Sequence, residues 1–210
     1  MRSATTMSKD LKHLVKRLWY YSAFDGGLYR VKGAGNAYFA INMVKENLDY
    51  INKIKEAFDD LNIGFKIYDR KDYNTDGCIR KPQCRAQSSR HPKLQTIWER
   101  LYIDGRKVID PHMLTLLDRE ALAIMFMADG SRYIDKRCKA SPKYTLNIKG
   151  YSYGDQWLLK KALKEKLDLE FNINRQNNYY YLVLRTKDVA KFESLVEDHI
   201  LPSFKYKLGR

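Results

Sequence analysis

The second hundred residues of this chain restate the first. LNIGFKI begins at Leu61 and LDLEFNI at Leu167, 106 positions apart. AIN at Ala40 to Asn42 matches TLN at Thr145 to Asn147, an offset of 105. DGGLYRVK from Asp25 and DGSRYIDK from Asp129 share Asp, Gly, Tyr and Lys at fixed steps, 104 apart. Offsets that drift by one or two residues fit two copies of one supersecondary unit with small loop changes.

Hydrophobic periodicity gives the unit its elements. Asp10 can cap a helix from about Leu11 to Phe24, where Leu14, Val15, Leu18 and Tyr21 fall at helical spacing. Strand-like Leu28 to Lys32 and Tyr38 to Val44 flank a glycine-rich turn, and Asn47 to Leu61 is again helical. Ile63 to Arg70 alternates Ile, Phe, Ile inward with Lys66, Tyr68 and Arg70 outward, and Ile79 to Ser89 alternates Cys84 and Ala86 with Arg85 and Gln87. His91 to Leu101 is a short helix, followed by a turn at Asp104-Gly105. The second copy runs as a helix over Asp118 to Ala128, strands at Arg132 to Lys136 and Tyr144 to Lys149, and a helix at Asp155 to Leu167. Strands at Leu169 to Arg175 and Tyr179 to Arg185 and a last helix over Asp188 to His199 complete it. The predicted fold class is α+β: two pseudo-symmetric αββαββα repeats, residues 1–110 and 111–210, each with a four-stranded antiparallel sheet.

Each repeat opens on an apolar helix that ends in acid and glycine. LAIMFMADG at 122–130 is the clearer copy and LWYYSAFDG at 18–26 the more divergent one. Gly130 reads as a helix stop. Asp129 then occupies the last turn, where the helix dipole disfavours an anion, and a carboxylate placed there has a cation to serve or is simply solvated. If the two helices pack side by side, Asp25 and Asp129 meet at one end, and two carboxylates facing a phosphate backbone would bind divalent metal ions.

Charge narrows the partner. The chain carries 39 Lys and Arg against 25 Asp and Glu, a net charge of +14 spread along its length, which favours a polyanion, most simply nucleic acid. Sheet alternation collects Arg30, Lys32, Asn42, Lys66, Tyr68, Arg70, Arg85 and Gln87 on one surface of the first repeat. Lys136, Asn147, Lys149, Asn172, Asn174, Gln176 and Arg185 form that of the second. There Arg and Lys can read guanine, and Asn and Gln adenine, in a major groove. The 3 cysteines (Cys78, Cys84, Cys138) lack metal-ligand spacing and read as reduced thiols. No apolar run is long enough to span a bilayer, and residues 1–10 lack a signal-peptide core, so the expectation is a soluble intracellular protein with no membrane partner.

Two apolar helices ending in Asp-Gly, about a hundred residues apart on a basic chain, resemble the monomeric, two-motif LAGLIDADG homing endonucleases. The resemblance covers about Leu11 to Leu208. The second motif keeps Leu122, Ala123, Ala128, Asp129 and Gly130. The first keeps Leu18, Asp25 and Gly26, while Tyr20 and Phe24 replace small packing residues. The resemblance implies a saddle of two sheets in the major groove of double-stranded DNA at a long asymmetric site. It implies hydrolysis of both strands, leaving 3′ overhangs, with Mg2+, two or three ions between the acids, held by Asp25, Gly26, Asp129 and Gly130. The family also carries a basic residue near the end of each repeat that positions water. Lys107 and Lys207 fit that role, with Arg106 and Lys205 as near alternatives. Asn42 and Asn147 stand where relatives place a solvent-organising polar residue. An intron-encoded origin in a phage or bacterial cytoplasm, or a mitochondrial or plastid matrix, follows from the same resemblance. The alternatives on this fold are an intron RNA maturase and a non-cleaving DNA-binding regulator.

Overall fold

The computed structural model describes residues 9–31, 33, 35–70, 81–134 and 141–210, with side chains from residue 15 onward. The first half runs α1 (Lys9–Tyr20), β1 (Gly27–Tyr29), β2 (Tyr38–Val44), α2 (Leu48–Asp59), β3 (Phe65–Arg70), β4 (Gln83–Ser88) and α3 (Pro92–Leu101). A short hairpin, β5 (Tyr102–Ile103) and β6 (Arg106–Lys107), and a one-turn helix α4 (Pro111–Thr115) follow. The second half repeats the order as α5 (Arg119–Asp129), β7 (Gly130–Tyr133), β8 (Lys143–Leu146), α6 (Tyr153–Leu167), β9 (Phe171–Gln176), β10 (Tyr179–Leu184) and α7 (Val189–Val196). Both sheets are antiparallel and share one strand order, β1-β2-β4-β3 and β7-β8-β10-β9.

Local chemistry explains why the repeat is legible. After α2 and α6 the chain turns through a left-handed residue, Asn62 (φ 56°) and Asp168 (φ 51°). These are the second residues of LNIGFKI and LDLEFNI, and Asn and Asp tolerate that region better than other side chains. Asp104 (φ 49°) and Gly105 (φ 74°) turn the β5–β6 hairpin with the two positive φ values its two-residue loop needs. Ser152 and Asp155 close a capping box on α6, and Asp118 caps α5 through the Ala121 amide.

The core fills the space between each sheet and its helices and continues across the middle of the molecule. There α1 packs on α5. Residues Ala121 to Met127 are all buried, so α5 is apolar all round because it is enclosed all round. Lys16 bridges Asp118 (2.6 Å) and Glu120 (2.7 Å), and Arg17 bridges Glu120 (2.7 Å), tying the first helix to the second at the end remote from the acids. The halves also exchange polar anchors. The Ile109 amide donates to Asp155 at the start of α6 (2.8 Å), and the Ser203 hydroxyl donates to Asp49 at the start of α2 (2.6 Å). Asp49 and Asp155 are again 106 residues apart.

Several predicted boundaries move. The first helix begins by Lys9, so Asp10 lies within it rather than at its cap. It is not regular to Phe24: Tyr21–Asp25 forms a π-turn, closed by the Gly26 amide on the Tyr21 carbonyl (2.9 Å). Tyr20 and Phe24 stack there, with ring centroids 5.9 Å apart. β8 stops at Leu146, and Lys149 sits in the turn that follows instead of on a strand. The C-terminal basic stretch is a structured 3-10 segment, Pro202–Leu208. Among the described residues no helix is long and apolar enough to cross a membrane.

Candidate active site

Asp25 and Asp129 end the two central helices at the same side of the α1–α5 pair. Both glycines that follow are demanded by space, not by dihedral angle. Gly130 does stop its helix, as expected, and Gly26 (φ −87°) and Gly130 (φ −79°) are both extended rather than left-handed. A Cβ on Gly26 would lie 2.1 Å from the Phe39 ring, and one on Gly130 would lie 2.0 Å from the Phe126 ring and 2.4 Å from its carbonyl oxygen. Glycine lets each chain turn flat against its own core directly beyond the acid.

Each acid has a lysine beside it, and the two lysines are placed alike. Lys107 Nζ donates to the carbonyls of Ser22 (2.9 Å), Ala23 (3.0 Å) and Gly26 (2.7 Å). Lys207 Nζ donates to those of Phe126 (3.2 Å), Met127 (2.6 Å) and Ala128 (3.5 Å). A cation thus sits on the negative end of each central helix, where three last-turn carbonyls need donors. Arg106 and Lys205, the neighbouring candidates, are exposed. The Gly26 carbonyl, one of the expected metal contacts, is engaged by Lys107.

The electrostatics are strained in one direction. Burial lifts the Asp129 carboxyl to about 7, and the charge of Asp25 adds to the rise against the opposing pull of Lys107 and Lys207. Asp25 is raised too, by burial first, with Tyr50 and the same two lysines opposing. Tyr50 lies beside it, yet the Tyr50 hydroxyl and Asp25 Oδ2 are each buried without a hydrogen-bond partner of proper geometry. Burial also brings Lys107 down to about 8 and lowers Lys207, with both carboxylates opposing. Two carboxylates that disfavour each other's charge, one with an orphaned oxygen, fit a divalent cation between them. Among the described residues no cluster of three His, Cys, Asp or Glu exists, so the remaining ligands of such an ion must come from carbonyls, water or a bound substrate.

Asn147 and Asn42 take matching places. The Asn147 amide donates to the Asp129 carbonyl (2.8 Å), and its side chain donates to Ser131 (3.0 Å). Gly27 pairs with Ala40, so carrying the β1–β2 register on by two residues puts Asn42 opposite Asp25.

The exposed sheet faces collect most of the predicted contacts. Asn42 pairs with Arg85 and Arg85 with Tyr68; Gln87 pairs with Lys66, and Gln83 with Arg70. On the second sheet Asn172 pairs with Val183, Asn174 with Tyr181 and Gln176 with Tyr179. Arg30, exposed just beyond β1, has the parity of buried Leu28 and lies over the Trp98 ring of α3 at 5.6 Å. Arg185 is exposed but paired with Glu170 (2.7 Å). Lys32 and Lys136 lie outside the described residues. Sequence reasoning missed Tyr29, Tyr133, Thr145, Tyr181 and Val183, which face outward by register. Counting by twos from each Asp-Gly would have found the first two.

Residues 25–192 match the model of the LAGLIDADG DNA endonuclease family. The chain belongs to that family. A probable intron-encoded endonuclease of Wickerhamomyces canadensis is 26% identical over 185 residues, covering 87% of this chain and 79% of its own. Among solved structures, the homing endonuclease I-WcaI bound to its DNA recognition sequence superposes with a TM-score of 0.79 at 24% identity, over 97% of this chain and 88% of that one. A single-substitution variant of I-DmoI, in complex with its target DNA and in the presence of manganese, gives 0.57 at 18% identity, over 93% and 100%. The LAGLIDADG fold is therefore the fold of this chain, and DNA endonuclease is its class of activity. The order of the two motifs, the degenerate first and the better-kept second, falls within that fold without disturbing the acid at the end of either helix.

Proposed function

We propose that this LAGLIDADG protein is a homing endonuclease that cuts both strands of double-stranded DNA at one long asymmetric site, as a monomer of two LAGLIDADG repeats, 1–110 and 111–210. The observation that carries the reading is the matched pair of acids at the ends of the central helices, each with a lysine anchored on the same helix's last carbonyls. A structural neighbour bound to its DNA recognition sequence supports double-stranded DNA as the partner. Asp25 and Asp129 would hold Mg2+, with the Gly130 carbonyl available as a further contact and phosphate oxygens completing the shell. When bound, the metal supplies an activated water and stabilises the leaving oxygen. Lys107 and Lys207, held on the helix carbonyls within reach of the same centre, offset charge on the scissile phosphates and position water where substrate binding frees one of their donors. Asn42 and Asn147, opposite the acids, organise the same water. The outward sheet faces set the site. Cuts made across the minor groove leave 3′ overhangs.

The test is incubation with the intronless allele of the host locus in magnesium or in EDTA. Magnesium-dependent double-strand cleavage is expected, and Asp129→Asn should abolish it while target binding persists. Full cleavage by that variant sinks the metal assignment. Binding of the host intron RNA with no cleavage of that DNA would replace the reading with a maturase.

A further inference from the structure

The two sheets have the same topology, so their outward positions correspond row by row, and the rows differ in a systematic way. Beyond the Asn42 and Asn147 rows, the register aligns Arg85 with Tyr181 and Tyr68 with Asn174. One row to one side it aligns Gln87 with Val183 and Lys66 with Asn172. One row to the other it aligns Gln83 with Tyr179 and Arg70 with Gln176. The outward cations of β3 and β4, Lys66, Arg70 and Arg85, are thus matched by uncharged residues on β9 and β10, while on β8 the exposed Lys143 stands where β2 has Tyr38. The row beyond Val183 and Asn172 does carry Arg185, but Glu170 lies opposite and binds it at 2.7 Å.

The two faces offer different chemistry to a base edge. On the first, Arg85 donates to Gln87 and Arg70 to Gln83, each at 3.3 Å, which tethers each guanidinium at one nitrogen and leaves its other edge free to face a base. Planar, oriented guanidinium groups match the paired acceptors O6 and N7 of guanine. On the second, Asn172, Asn174 and Gln176 offer the donor–acceptor pair that matches adenine N6 and N7. Val183 on β10 and Thr145 on β8 pair side by side on the inner strands next to them, suited to a thymine methyl.

We infer that the two halves of the target are read in different languages. The half-site under β3 and β4 is specified at guanines by Lys66, Arg70 and Arg85. The half-site under β9 and β10 is rich in A·T pairs, specified by Asn172, Asn174, Gln176 and Val183. The inference rests on the proposed DNA-binding function and deepens it.

The test is selection from a library of random duplexes with the intact protein in EDTA, followed by sequencing. The wild-type protein should select one half-site containing guanines and one of A·T pairs. Arg85→Gln should move a guanine preference to adenine in the first half-site alone. Asn174→Ala should relax one adenine position in the second by about tenfold in preference, leaving the salt slope unchanged. Equal base composition in both halves overturns the assignment. So does an Arg85→Gln protein that loses affinity evenly across all sequences, because that marks a phosphate contact. If no duplex is enriched at all, the DNA-binding function itself fails, which separates the two claims.

Discussion

The two central helices end in the same chemistry by different routes. The second is a regular α-helix to Asp129, closed by the Gly130 amide on the Phe126 carbonyl. The first widens into a π-turn over its last five residues, with Tyr20 and Phe24 stacked where the better-kept motif has smaller side chains. A widened last turn puts the extra ring volume into the core and still delivers Asp25 and Gly26 to the helix end. Acid, glycine and lysine are thus the fixed parts of this interface, and helix geometry is the part that yields. Even the lysine contacts bend to it. Lys107 reaches around the π-turn to Ser22, Ala23 and Gly26, whereas Lys207 takes three consecutive carbonyls.

The sharpest way to break the equivalence is to remove one lysine at a time. Lys107→Met and Lys207→Met should each lower double-strand cleavage by about a hundredfold or more if the ammonium groups act on solvent and phosphate. Nicked plasmid should accumulate, on opposite strands in the two variants, and strand-specific end labelling reads which. Identical products from both would show that the lysines serve only as caps on the helix carbonyls.

A smaller effect is expected from the glycines. Gly26→Ala and Gly130→Ala both force a Cβ into occupied space, and overpacking of this kind costs about 1–3 kcal/mol. Gly130→Ala should lose more, because its clash includes the Phe126 carbonyl oxygen, which is backbone, whereas Phe39 can shift its ring. Urea denaturation midpoints order the two. A Gly26→Ala protein less stable than Gly130→Ala would mean that the π-turn is stiffer than the regular helix end.

The repeat, the two antiparallel sheets and the acid pair were legible because each is carried by short-range signals: alternation, like residues recurring at a near-constant offset, an acid before glycine. The site's lysines were legible only through family likeness, since nothing in DGRKVI or PSFKYKL says that Lys107 and Lys207 turn inward while Arg106 and Lys205 stay out. The placement of Arg30 turns on parity: it is two residues from buried Leu28 and so shares its side, and three-residue β1 offers too little alternation to fix the phase without that apolar residue. Tyr50 was invisible for a further reason. It is an ordinary buried helix residue by periodicity, and its position beside Asp25 depends on how α2 packs against α1. Its counterpart 106 residues on, Gln156, instead donates to the carbonyls of Ile148 and Tyr180, so the two acids have different neighbours.

That difference in surroundings leads to the gentlest test, the pH dependence of the metal-free protein. The Asp129 carboxyl is held at about 7, chiefly by burial, so the folded protein keeps its proton more tightly than the unfolded chain does. Its contribution to stability is full below about 4, the ordinary carboxylate value, and is lost as pH rises through 7. Asp168, exposed, and Glu170, half-buried, are bonded to lysines that hold each at about 2 and act in the opposite sense: their contribution is present above about 4 and lost toward pH 2. Subtracting the thermal midpoints of Asp129→Asn from those of the wild type removes that second contribution. The difference should favour the wild type least at pH 8 and grow steadily toward pH 5. Magnesium should reverse the trend, raising the wild-type midpoint above pH 7, where the carboxylate is free of its proton, and doing little at pH 5. The same subtraction with Asp25→Asn tests whether the acid beside Tyr50 behaves alike. If the two difference curves coincide, Tyr50 contributes nothing to setting Asp25 apart; if only the Asp129 curve responds to magnesium, the two acids do not share an ion equally.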